Sequence, residues 1–219
     1  GTQFVLQNPG VDAASGLASG DIIGADDGAV GAPGLTFADD LDNGFYKVGT
    51  NSWAAAAAGA QVWLVNAAGH IIKPLQPSFE VHGTDAGGNN LTGDGTTATL
   101  LWPGTEVRDI GGNLASGAFT APTAGQYAFW ASSLSASLTA DMNRQIYWIT
   151  STGGSSQTFS YGTDNRFASG SSPFTARVQS SSGTVVLAAS DVVVVKWEVS
   201  GGTKAADIGG ADRFQGWLV

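Results

Sequence analysis

The feature that most constrains this chain is a pair of strand-like segments that are apolar on both faces. In Asp191–Val199, Val193, Val195, Trp197 and Val199 alternate on one face. The other face carries Val192 and Val194 before turning polar at Lys196 and Glu198. Arg144–Thr150 (RQIYWIT) also places apolar and aromatic residues on both faces. Such a pattern does not suit a sheet with one wet side; it calls for a second packed layer or a subunit interface. Gln126–Ala131 repeats the alternation, with Tyr127, Phe129 and Ala131 on a common face.

Composition points the same way. Of 219 residues, 32 are Gly and only 12 % are charged; Asp outnumbers Glu fifteen to three, and there are four Lys. Helix formers of the Glu/Lys kind are scarce and turn formers abound, which argues against a helix bundle and for an all-β chain. A net charge of −9 with nine scattered Lys and Arg leaves no basic face for nucleic acid. The absence of Cys excludes zinc fingers, iron–sulfur clusters, thiol catalysis and a disulfide scaffold. With His70 and His82 the only histidines, a His-rich metal site is not expected either, and no cofactor is. The N-terminal GTQFVLQNPG has no basic and no apolar signal region, so no secretory signal is expected. No run of about 20 apolar residues suggests membrane insertion.

Three parts follow from the punctuation of the chain. Residues 1–33 are Gly-, Ala- and Asp-rich and lack periodicity. They read as a disordered tail or as an extended arm anchored on a partner by Phe4, Leu6, Leu17, Ile22 and Ile23. Residues 34–73 read as a β-hairpin attachment module, with Asn43-Gly44 as a type I′ turn signal. Ala54–Ala58 is too short to stand as a helix and reads as a strand. Pro74 and Pro77 mark a boundary, and 74–219 is long enough for a complete sandwich.

Two resemblances sharpen this reading. Pro33, Gly34, Leu35, Thr36, Phe37, Ala38, Asp42, Gly44, Phe45 and Tyr46 resemble a short hairpin module of tailed-phage fibre and virion surface proteins. Phe119, Pro122, Gly125, Tyr127 and Phe129 resemble the F-x-x-P-x-x-G-x-Y-x-F signature of the C1q/TNF-like jelly roll. Further landmarks appear in the same order as in that family: Pro77-Ser-Phe79-Glu-Val opens it, and Asn113 and Gly117 precede the signature. Ser190-Asp191-Val192-Val193 follows, with Ser in place of the family's Gly, and Phe214, Gly216 and Leu218 lie in the closing strand. This resemblance implies a jelly-roll knob that forms a homotrimer through apolar faces.

Candidate chemistry is sparse. Asp39, Asp40, Asp42 and Asn43, like Asp26 and Asp27, suggest Ca²⁺ only by their oxygens; without ligand spacing they read as solvated Asx turns. Glu80, Glu106 and Glu198 form no recognisable glycosidase pair, and neither His accompanies a G-x-S-x-G elbow. Gly87-Gly88 and Gly153-Gly154 lack the lysine of a phosphate loop. Most Trp residues read as core or interface; Trp102, in its Leu-Trp-Pro-Gly loop, is the candidate ligand patch.

The expectation is therefore a non-enzymatic homotrimer on the surface of a phage virion. In one reading it is a capsid decoration (cement) protein, anchored to other virion proteins such as the major capsid protein through its N-terminal region. In the alternative it is a short tail fibre whose knob binds a host surface glycan or receptor.

Overall fold

The computed structural model describes residues 26–83, 90–102, 104–152, 158–166 and 176–219. The chain divides into two units, Gly1–Lys73 and Pro74–Val219, and all regular structure among the described residues is β.

In the first unit, β1 (Gly28–Ala29) and β2 (Ala32–Pro33) pair as a minimal hairpin. Then β3 (Leu35–Phe37), β4 (Asp40–Gly49), β5 (Ser52–Ala57), β6 (Ala60–Val65) and β7 (Ile71–Ile72) form an antiparallel meander in chain order. Ala54–Ala57 lie in a strand, as the shortness of the run suggests, and Ala58 falls in the turn that follows. Ala54 and Ala56 are buried with Tyr46 against Leu64, giving this sheet a thin core of small side chains.

Two expectations for this unit need correction. The chain does not reverse at Asn43-Gly44; it reverses at Ala38–Asp39, and β4 runs straight through Gly44. Glycine is needed there for close approach. A Cβ on Gly44 would lie 2.0 Å from the Leu35 carbonyl oxygen, at a register shift where Thr36 faces Gly44 and Phe37 faces Asp40. The primed-turn conformation falls instead at Ala58-Gly59, with φ of 50° and 68°, and the Asn43 side chain accepts the Ala58 N–H at 2.7 Å. The second correction concerns the arm. Residues 26–33 are not a free extended segment: Lys47 N–H donates to the Asp27 carbonyl at 2.7 Å, and its ammonium pairs with the Asp27 carboxylate at 2.9 Å. These bonds hold the β1–β2 hairpin beside β4. Phe4, Leu6, Leu17, Ile22 and Ile23 lie outside the described residues.

The second unit is built from β8 (Ser78–His82), β9 (Ala98–Thr99), β10 (Thr105–Ile110), β11 (Leu114–Ala115), β12 (Ala118–Thr120) and β13 (Gly125–Ala136). It continues with β14 (Arg144–Thr152), β15 (Thr158–Arg166), β16 (Ala176–Leu187), β17 (Val192–Ser200) and β18 (Asp207–Leu218). One sheet has the order β10-β8-β18-β13-β16 and the other β11-β12-β17-β14-β15, with β9 also on β17. Every pairing is antiparallel, the chain passes repeatedly from sheet to sheet, and the first and last strands lie side by side. This is a jelly-roll sandwich.

One face of the two-sided apolar strands has its explanation within one chain. Tyr147, Ile149, Val193, Val195, Trp197 and Val199 face the space between the sheets and are almost fully buried. On the opposite face Val194 is also buried, while Ile146 and Trp148 are half-buried.

Candidate functional site

The signature residues form the aromatic half of the jelly-roll core. Phe79 stacks on Phe119 with ring centres 4.9 Å apart and meets Phe214 edge-on at 4.8 Å; Phe119 lies 5.5 Å from Tyr127 and 5.6 Å from Phe129. Aromatic pairs at these separations add to simple area burial. The Tyr127 hydroxyl donates to the Thr123 carbonyl at 2.8 Å, which closes the turn containing Pro122. Gly216 stands in register between Phe79 and Phe129 on the two neighbouring strands. A Cβ there would lie 2.6–2.7 Å from carbons of both rings, so the rings occupy the space a side chain would need. Gly125 is approached by the Leu218 side chain in the same way.

Trp102 requires correction. It is 4 % exposed and its ring lies 5.6 Å from Phe214, so it belongs to the core rather than to a surface patch. The cause is local. Leu100 N–H donates to the Val195 carbonyl at 2.9 Å and draws this loop onto β17. The alternation along the loop then turns Leu101 outward, 46 % exposed, and Trp102 inward.

The carboxylates and histidines do not assemble a reaction centre among the described residues. No group of three or more His, Asp and Glu there is placed to hold a metal. Asp42 lies beside Asp40, and the hydrogen bond between them raises the Asp42 carboxyl above the usual range, as expected for acids sharing a site. On β8, His82 Nε2 donates to Glu80 Oε1 at 2.8 Å, and Arg213 Nε lies 3.6 Å from the same oxygen. The His82 hydrogen bond is the largest influence on Glu80 and holds its carboxyl below the usual range. This is an ion-pair cluster without a nucleophile. Thr97 donates to Glu198, Glu106 is exposed, and His70 sits on an exposed turn.

What the molecule does present is apolar surface. On the outer face of the β10-β8-β18-β13-β16 sheet, Val178 and Val186 on β16 are 69 % and 70 % exposed. Trp217 is also exposed, and Ala128, Trp130 and Leu134 are half-buried on the same face. In the first unit, Leu35, Phe45, Trp53 and Ile71 are exposed, with Trp63 half-buried beside them. Their register places them on one face of the meander, where Trp53 lies 5.8 Å from Phe45 and 4.7 Å from Trp63.

No protein-family model matches the chain, and no curated protein does. Solved structures do. The chain is similar to the globular domain of zebrafish complement 1qA protein (TM-score 0.47, 19 % identity, 66 % of this chain and 97 % of that one). It is likewise similar to murine APRIL at pH 8.0 (TM-score 0.47, 13 % identity, 66 % of this chain and 99 % of that one). A second murine APRIL structure, at pH 5.0, gives a TM-score of 0.45, 12 % identity and the same coverage. The fold assignment rests on the strand order itself.

The surface on β16 runs against the hydrophobic alternation of the sequence. In ARVQSSSGTVVL the apolar Val178 faces out and the polar Gln179 faces in, the reverse of what hydrophobic alternation suggests. The available signal was the odd placement of Gln179 and Ser181 in phase with Val185 and Leu187, which are plainly core.

Proposed function

We propose that this chain is a non-enzymatic structural protein that works as a homotrimer on a phage virion, as a capsid decoration (cement) protein. The observation that carries self-association is the outer sheet face around Val178, Val186, Trp130 and Trp217. Apolar surface of this kind on a chain with 12 % charged residues is what a symmetric subunit contact buries. The uncovered aromatic face of the first unit, around Phe45 and Trp53, supports attachment through the N-terminal region. The phage setting rests on the hairpin-module resemblance at residues 33–46. That same resemblance favours a second reading, a short tail fibre whose knob meets a host receptor.

Counting copies per particle separates the two. Decoration requires as many trimers as there are capsid sites, whereas a fibre requires a small multiple of three. Attachment is tested by adding purified full-length protein, and a Phe45→Ser/Trp53→Ser variant, to particles that lack it. The wild type co-sediments and the variant does not; equal co-sedimentation removes the first unit from the attachment role.

A further inference from the structure

The interior of the jelly roll is divided. One half is the aromatic cluster described above. The other half lies where β14 and β16, strands of opposite sheets, approach within 8 Å Cα to Cα. Here the inward residues are polar: Ser133, Ser135, Gln145, Gln179 and Ser181 are all buried. Tyr147 and Ser133 join the two sheets through a hydrogen bond of 3.0 Å between their hydroxyls. Gln179 is directly opposite Ser133 on the neighbouring strand. Trp197 is directly opposite Tyr147, and Gln145 lies two residues before Tyr147 on the same face. Gln145, Gln179 and Trp197 therefore surround a single sheet-to-sheet hydrogen bond.

Among the described residues, six buried side-chain polar atoms have no hydrogen-bond partner, and five belong to these three residues. They are Nε2 and Oε1 of Gln145, Nε2 and Oε1 of Gln179, and Nε1 of Trp197. A buried polar atom without a partner loses its hydration and gains nothing in return, so such atoms are rare and call for an explanation. Their concentration in one place points to a common occupant. Its chemistry follows from the set. Three of the atoms are donor nitrogens, which disfavours a cation, and two are acceptor oxygens, which disfavours an anion. Small neutral molecules that both donate and accept suit the set, and because one water accepts at most two hydrogen bonds, three donor nitrogens require more than one.

We infer that this region is an internal hydration site, in which ordered water bridges Gln145 and Gln179 across the sandwich beside the Tyr147–Ser133 bond. A buried water commonly makes two to four hydrogen bonds, so the five atoms of the two amides and the indole provide partners for a small cluster of waters. The water then joins the sheets between β14 and β16, where apolar packing gives way to polar residues.

The test uses the full chain, by crystallography at a resolution that shows ordered water and by NMR in solution. The expected result is solvent density about 2.7–3.2 Å from both amides. Nuclear Overhauser contacts should also connect long-lived water to the side-chain amide protons of Gln145 and Gln179. In Gln179→Met the water contact to Gln145 should weaken or vanish; if that variant does not fold, the wild-type contacts decide. Direct amide-to-amide pairing without intervening density overturns the inference, as does the absence of long-lived water. An ion at the shorter distances of metal coordination, about 2.3–2.6 Å for Ca²⁺, overturns the neutral occupant.

Discussion

Ser190 has φ of 73°, in the left-handed region that glycine occupies most easily. Its turn is well made: Ser190 N–H donates to the Ala121 carbonyl at 2.8 Å, and the Asp191 carboxylate accepts the Ala188 N–H at 3.0 Å. The bonds hold the backbone in place while the Cβ remains strained. Ser190→Gly relieves that strain, partly offset by the greater freedom of glycine in the unfolded chain, for a net gain of about 0.5–1 kcal/mol. Chemical denaturation of the two proteins under one buffer measures it; a less stable glycine variant contradicts the account. Gly216 predicts the opposite sign. Gly216→Ala forces a methyl against the Phe79 and Phe129 rings and should cost about 1–3 kcal/mol, with Gly216→Trp worse. An unchanged melting midpoint for both would mean that the rings move aside freely. Gly216 was readable from its place between Phe214 and Leu218 in an apolar strand. Trp102 was not, because its burial depends on a backbone bond to Val195, about ninety residues later in the chain.

At the scale of the strand, alternation is a good guide wherever both sheets contribute apolar side chains, as in β17, in β13 up to Ala131 and in β14 at Tyr147 and Ile149. It failed in β16, where inner and outer faces exchange their usual polarity, and in β4, where a glycine that looked like a turn serves a close backbone contact. The strand β8 carries a pH prediction. Glu80 has its carboxyl held low by His82 and, secondarily, by Arg213 and Arg108. A group whose folded-state pKa lies below its unfolded value stabilises the fold above the unfolded value, 4.5 for this side chain, and loses that contribution as pH falls through the folded value. Wild type should therefore exceed Glu80→Gln in melting temperature near pH 6, and the gap should narrow as pH is lowered through 4 toward 3. A gap independent of pH would show that the carboxylate charge contributes nothing.

For the molecule as a whole, the outer face of the β16 sheet makes a prediction about mass. Light scattering on purified protein should give three times 22.1 kDa. Val178→Asp/Val186→Asp should give the monomer mass with the β-sheet circular dichroism retained, since both side chains point away from the core. A wild type that is monomeric at micromolar concentration removes the trimer. The strand order carries a consequence of another kind, in time. The last strand, β18, is not an edge; it lies between β8 and β13 and pairs with both. Phe79 meets its neighbour Gly216 only after nearly the whole domain has been made, and contacts so distant in sequence close slowly. Until then β8 and β13 each hold an open edge toward the vacant position. Synthesis therefore passes through a sheet with a gap in its middle. The β18 of a neighbouring nascent chain fits that gap as the chain's own does, so crowded synthesis should raise the share of strand-exchanged dimers.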